Sequence, residues 1–148
     1  MKILTLTITV SAPRDLVFNF LADVESLPKW SGGYCESIAL RRGGWWAFTS
    51  DGEQVVSIDS NAEAGVIDVH AGPSSERTTL TPIRVVALSA RHTLVSFVLI
   101  EAPDRGPEVF ERRCRIWREA VKGLLNRFGG GELHTPDTTP QLMELGRN

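Results

Sequence analysis

Residues 107–128 read PEVFERRCRIWREAVKGLLNRF, and the spacing within this stretch decides the fold. Apolar residues recur along it at intervals of four and three residues, which places them on one face of an α-helix. They are Phe110, Cys114, Trp117, Val121, Leu124 and Phe128. Pro107 suits a first helical turn, and the three glycines at 129–131 end the pattern. At 1.5 Å per residue such a helix is about 33 Å long, enough to cross the whole domain.

The residues before this helix show the two-residue alternation of β-strands. Residues 3–10 alternate apolar side chains with threonine and predict a half-buried strand. Six more strands, separated by turn signals, are predicted at residues 34–42, 45–50, 54–60, 66–71, 77–90 and 93–100. Pro82 indicates that its strand lies at a sheet edge or contains a bulge. Residues 93–100 are the most apolar segment and are expected in the centre of the sheet.

Two short helices are predicted between the first and second strands. Val17, Phe20, Leu21 and Val24 have the spacing of one helical face, and residues 27–30 form a second, very short helix. The order of elements predicts an α+β fold in which a curved antiparallel sheet of about six or seven strands grips the long C-terminal helix. A strongly curved sheet wrapped around one helix tends to leave space between them, so a ligand cavity is expected there.

Length and composition predict one globular domain, residues 1–130, followed by a flexible C-terminal tail, residues 131–148. The chain has 148 residues, of which 42% are hydrophobic and 23% charged, with a net charge of −2. This charge gives no reason to expect nucleic acid as a partner, and the arginines of the long helix are interleaved with glutamates, which favours a solvated face. The sequence contains no run of about 20 apolar residues, so stable membrane insertion is not predicted. The N-terminus lacks the features of a secretory signal, so we expect a cytoplasmic protein.

The segment ITVSAPRDLVFNFLAD, residues 8–23, together with the LPKW of residues 27–30, resembles the opening of the START-related ligand-binding superfamily. The order of elements matches that superfamily over residues 3–128. The resemblance implies the helix-grip fold and a hydrophobic cavity that Trp30 helps to close at one end. Bacterial members are often labelled polyketide cyclase/dehydrase or lipid-transport proteins. Relatives include carriers, cyclases, hydrolase-like enzymes and chaperone regulators, so the resemblance leaves the activity open.

Residues with suitable chemistry on the predicted inner surfaces are the candidates for ligand binding. They are Trp30, Tyr34, Arg84, Phe97, Cys114, Trp117 and Val121. Arg84 lies in an apolar neighbourhood and is suited to hold a carboxylate or enolate oxygen, but its strand is equally compatible with an exposed position. Trp45 and Trp46 must point to opposite faces of their strand, and the exposed one suggests a dimer contact or a place for the C-terminal tail to dock.

Catalytic residues are not identified by any motif, and Arg84, His70 and Asp68 are the candidates. Asp68 and His70 share one face of a strand, where a carboxylate could orient an imidazole as a general base. The alternative is that the apolar face with Ile67 and Val69 is inside and that this pair faces solvent. No set of residues has metal-ligand spacing, and no cofactor is expected.

The leading hypothesis is a protein that binds a small hydrophobic molecule, such as a lipid or a polyketide, between the sheet and the C-terminal helix. The first alternative is a polyketide cyclase or dehydratase acting in the same cavity, so whether the chain is an enzyme stays open. The second alternative is an interaction protein without a ligand. A homodimer is possible in each case.

Overall fold

The computed structural model describes residues 1–31, 33–129, 133–134 and 143–144. The strands in chain order are β1 (Lys2–Val10), β2 (Cys35–Arg41), β3 (Gly44–Thr49), β4 (Gly52–Asn61), β5 (Val66–Ser74), β6 (Arg77–Ser89), β7 (His92–Ile100), β8 (Leu133–His134) and β9 (Met143–Glu144). The helices are α1 (Arg14–Ala22), α2 (Leu27–Trp30) and α3 (Pro107–Phe128), with a 3₁₀ turn at Val24–Ser26. The predicted order of elements is confirmed.

Seven strands form one curved antiparallel sheet in the order β2-β3-β4-β5-β6-β7-β1. Consecutive strands from β2 to β7 are neighbours. The first strand, β1, lies beside β7 and pairs with it along its length, from Ile3 opposite Ile100 to Val10 opposite Thr93. Residues 93–100 therefore form an interior strand between β6 and β1, although β7 is not the middle strand of the sheet. The short strands β8 and β9 pair with β1. Most of the predicted C-terminal tail, residues 131–148, lies outside the described residues.

Of the two alternatives predicted for the strand of Pro82, the edge position is wrong, because β6 lies between β5 and β7. The bulge alternative is met by an irregular register of β6 between Ala87 and Ser89. Pro82 faces Asp68 of β5, in a part of that pairing that has no bulge. The pairing of β6 with β7 begins at Ile83, immediately after the proline. Proline has no backbone N–H to donate, so an interior strand accommodates it where a ladder of hydrogen bonds ends.

The long helix α3 lies across the inner face of the sheet with its apolar stripe buried. Phe110, Cys114, Trp117, Val121 and Leu124 are each at most 5% exposed. They face the alternating buried side chains of the strands, as the two periodicities require. The helix ends at Phe128, and Gly129 follows with φ +84° and donates its N–H to the carbonyl of Leu125 at 2.8 Å. These contacts confirm the α+β helix-grip fold.

The two adjacent tryptophans of β3 lie on opposite faces of the sheet. Trp45 shares the inner face with buried Ala47, two residues further along the strand. Trp46 shares the outer face with Phe48, and the guanidinium of Arg41 lies 6.0 Å and 5.0 Å from these two ring centroids. Both indoles are half-buried, so neither is a fully exposed apolar surface.

Candidate functional site

Four aromatic side chains occupy the space between α3 and the sheet. Trp117, on α3, has its ring centroid 5.9 Å from that of Trp30 and 6.1 Å from that of Phe97. Tyr34 stacks on Trp117 with centroids 5.4 Å apart and an interplanar angle of 29°. The elements α2, β7 and α3 and the residue before β2 therefore meet in one aromatic cluster, which forms the centre of the core.

A cavity of about 60 Å³ remains beside this cluster, between α3 and the inner face of β4, β5 and β6. Pockets for drug-sized ligands are larger, at roughly 300–1,000 Å³. The cavity as it stands therefore suits a compact molecule or the end of a longer one.

The cavity lining combines apolar and polar side chains. The apolar members include Val69, Ala71, Val109, Phe110, Ile116 and Trp117. The polar members are Tyr34, Asp51, Gln54, Thr79, Thr81, Glu101, Arg105 and Arg113. An apolar surface with a few convergent polar groups is the usual composition of a small-molecule site.

Arg113 provides a positive charge among the polar groups that line the cavity. Its Nη1 donates to the carbonyl oxygen of Ile100 at 2.7 Å, and its Nη2 donates to Oγ1 of Thr81 at 3.2 Å. Both partners are uncharged, and none of the ion pairs found among residues 1–31 and 33–129 includes Arg113. Burial lowers the pKa of the guanidinium, but arginine stays protonated at neutral pH.

Tyr34 and Gln54, which also line the cavity, form a neutral hydrogen-bonded pair. The phenol of Tyr34 lies 3.0 Å from Oε1 of Gln54 and donates its proton to it. Burial raises the pKa of Tyr34 well above its ordinary value. Tyr34 is therefore a neutral donor and acceptor at this site, and a base is not expected there.

Two ion pairs brace the elements around the cavity. Arg112 on α3 lies 2.7 Å from Asp51 in the β3–β4 turn. Arg77 at the start of β6 lies 2.9 Å from Asp104 in the β7–α3 connection, where hydrogen bonding lowers the pKa of Asp104. Both pairs are substantially exposed, so each holds its loop only weakly.

The structure brings several of the predicted ligand-binding residues together in the core. Tyr34 and Trp117 line the cavity. Four others are buried in the core, namely Trp30, Phe97, Cys114 and Val121. Burial raises the pKa of Cys114 to about 11, so its thiol stays protonated at neutral pH. Nε1 of Trp30 has no hydrogen-bond partner among the described residues.

The predicted catalytic candidates lie on the outer face of the sheet. Ile67 and Val69 are the buried side chains of β5, whereas Asp68 and His70 alternate with them. Arg84 lies 2.9 Å from Asp68, and its side chain is 43% exposed. His70 lies 3.3 Å from Asp59. This position, away from the cavity, gives no reason to include Arg84, Asp68 or His70 in the site proposed below.

Sequence reasoning missed Arg113 and Thr81, although a signal for each was present. Arg113 follows Phe110 by three residues and precedes Trp117 by four, so helical geometry places it at the margin of the apolar stripe. Thr81 alternates with Ile83 and Val85 and therefore faces inward with them. The glutamates interleaved with the arginines of this helix indicate one solvated face, and this pattern conceals the exception.

The described residues contain no group of three or more His, Cys, Asp or Glu side chains arranged to hold a metal ion. Among the same residues, no helix is both long enough and apolar enough to span a bilayer.

Comparison with solved structures shows which fold this is. A START superfamily protein from Mycobacterium smegmatis superposes with a TM-score of 0.64 and 15% identity over 86% of this chain and 97% of that one. The Zhui aromatase/cyclase from Streptomyces sp. R1128 superposes with a TM-score of 0.63 and 18% identity over 85% of this chain and 90% of that one. For an HSP90 activator from Plasmodium falciparum, the TM-score is 0.63 and the identity 13%, over 90% of this chain and 100% of that one.

The chain therefore has the START-like helix-grip fold. No family model matches its sequence. No curated protein matches it either. At these identities the similarity establishes the fold alone, since proteins with one fold carry different functions.

Proposed function

We propose that this protein binds a compact small molecule in the cavity between α3 and the sheet. The observation that carries the proposal is the cavity itself, whose lining combines apolar side chains with several polar groups. The similar structures include a START superfamily protein and an aromatase/cyclase, which supports a small-molecule ligand. They do not indicate which ligand this chain binds.

The size of the cavity argues for a compact ligand. A lipid or an aromatic polyketide is far larger than about 60 Å³. Such a molecule fits only if side chains that line the cavity move, and Trp117 among them is held by ring contacts with Tyr34 and Trp30. A short or branched molecule needs no such movement, so it is the better match to the site.

Binding is better supported than cyclase or dehydratase activity. General acid–base catalysis needs a group that exchanges a proton near the working pH. The carboxyl groups that line the cavity are Asp51, which pairs with Arg112, and Glu101, which accepts a hydrogen bond from the backbone N–H of Lys2 at 3.2 Å. Each is already engaged by another part of the chain. A cytoplasmic location and a homodimer stay predictions from the sequence.

The test is a binding screen followed by two-dimensional NMR of the full chain, with the Trp117 indole N–H as the reporter. The panel contains compact neutral and acidic fragments, fatty acids and aromatic polyketide analogues. We expect compact members to shift the Trp117 signal in wild type and to lose that effect in Val109→Phe, which fills part of the cavity. The exposed substitution Arg115→Gln serves as a control. If no member shifts the Trp117 signal, the proposal is wrong.

A further inference from the structure

The cavity contains a charged group that no described residue neutralises in an ion pair. Arg113 lines the cavity and donates to two uncharged acceptors, the Ile100 carbonyl and the Thr81 hydroxyl. Its side chain is half-buried, and a charge partly removed from water is costly unless a counter-charge or hydrogen bonds compensate it. These two bonds use only part of the N–H groups of a guanidinium. The remaining N–H groups make no hydrogen bond to the described residues.

The acidic groups that line the same cavity do not supply this counter-charge. Asp51 pairs with Arg112 at 2.7 Å, and Glu101 accepts from the backbone of Lys2. Neither lies within ion-pair distance of Arg113. A second guanidinium, that of exposed Arg105, also lines the cavity. Glu101 keeps its negative charge, because the Lys2 N–H is neutral. With Asp51 paired to Arg112, the guanidinium groups of Arg113 and Arg105 together outweigh that single charge, so the balance at the site is positive and favours an anionic ligand.

Thr81 adds a second donor beside Arg113. Its Oγ1 accepts a hydrogen bond from the guanidinium, which only donates, so the hydroxyl proton must point toward another acceptor. A carboxylate placed against both residues accepts from the guanidinium and from the hydroxyl at the same time. Charge-assisted hydrogen bonds of this kind are stronger than neutral ones and fix the orientation of the ligand.

We propose that the ligand of this cavity is a compact monocarboxylate, with its carboxylate on Arg113 and Thr81 and its apolar part against Trp117 and Phe110. This inference rests on the proposed function, because it assigns a chemical class to the molecule bound at the same site. The volume of about 60 Å³ limits the enclosed part of the ligand to the carboxylate and a short apolar group. Any longer part extends past Arg105 toward solvent.

The test compares acids with their amides, because an amide keeps the shape of the acid and removes the charge. Propionate and isobutyrate are titrated into the full chain beside propionamide and isobutyramide, and binding is followed at the Trp117 indole and the Arg113 Nε–H signals. We expect each acid to bind about tenfold or more tightly than its amide. Arg113→Gln is expected to remove this preference, and Thr81→Val to reduce it. Arg115→Gln, an exposed site on the same helix with the same change of charge, is expected to leave it intact.

The two proposals fail in different ways. If acids and amides bind equally well to the wild-type cavity, the assignment to a carboxylate is overturned and the binding function stands. If neither class shifts the cavity signals, the assignment to a carboxylate is overturned, and the binding function is overturned as well only if no member of the wider panel shifts them. The comparison of acid with amide in wild type does not depend on whether Arg113→Gln folds. If the Arg113→Gln variant folds normally and prefers acids over amides as strongly as wild type does, the assignment is also overturned.

Discussion

Tyr34 stacks on Trp117 at a centroid distance of 5.4 Å, so a residue just before β2 closes over the centre of α3. Both side chains also line the cavity. The same contact therefore stabilises the core and sets the limit on the size of a ligand. This relationship makes Trp117 the residue at which stability and binding are most closely linked.

We expect Trp117→Ala to lower the free energy of unfolding by about 3–5 kcal/mol, because it removes a large side chain that is 2% exposed and leaves a void. The enlarged cavity should accept bulkier apolar ligands than the wild-type cavity does. Chemical denaturation and the binding screen measure the two effects. Trp46→Ala, on the outer face of the sheet, is the matched control and should lose less stability. Equal losses for the two variants would contradict the central packing of Trp117.

Gly123→Ala should destabilise the protein, although alanine is the better helix former by about 1 kcal/mol. A Cβ atom at Gly123 would collide with the carbonyl oxygen of Trp30, because α2 and α3 approach closely at this point. The expected result is a lower midpoint of denaturation. Asn126→Ala, an exposed position on the same helix, should be neutral or stabilising. A stabilised Gly123→Ala variant would show that the two helices do not pack as described.

The ion pair between Arg112 and Asp51 should contribute less than about 1 kcal/mol to stability. Its side chains are 52% and 39% exposed, so solvent screens their attraction. A double-mutant cycle with Arg112→Gln and Asp51→Asn measures the coupling, and its value should decrease further in high salt. A coupling of several kcal/mol would indicate that the β3–β4 turn is fixed far more firmly to α3 than the exposure allows.

Burial of Cys114 predicts a loss of stability in alkaline solution. The pKa of its thiol is about 11 in the folded chain, compared with an ordinary value of 9.0. Below pH 9 both states keep the proton and the contribution is constant. From about pH 9 to 11 the unfolded chain releases a proton that the folded chain retains, so the free energy of unfolding falls with rising pH.

The comparison of wild type with Cys114→Ala isolates this effect, because Tyr34 and Cys35 also have raised pKa values in both proteins. We expect the difference in stability between the two proteins to be constant up to about pH 9 and then to shift in favour of the variant. Urea denaturation at a series of pH values measures it. A difference that does not change with pH would show that the Cys114 thiol ionises normally in the folded state.

The elements of this fold were largely predictable because each depends on local periodicity. The stripe from Phe110 to Phe128, between Pro107 and Gly129, predicted α3. The alternation of Ile67 and Val69 with Asp68 predicted the two faces of β5, and the structure shows that the apolar one is buried. Pro82 is the exception. Its residue type restricts the local hydrogen bonds, but it does not reveal how many strands lie on either side of β6.

The site was predictable only in its location. Tyr34 and Trp117 were predicted at the cavity because aromatic residues on inner faces must meet there, but Arg84 was chosen as a polar candidate from its apolar neighbours in the sequence. In the structure its nearest charged partner is Asp68, across the outer face. Neighbours in sequence alternate between the two faces of a strand, so they do not report the surroundings of a side chain.

The sequence by itself determined the order of elements, the buried face of each and the position of the space between sheet and helix, because these follow from periodicities of about two and 3.6 residues. Only the tertiary structure decided how much of that space remains and which charge faces it. The volume depends on how four aromatic rings from distant segments pack together. The unneutralised charge of Arg113 depends on which side chains of other elements lie within a few ångströms of it, and no local pattern encodes those distances.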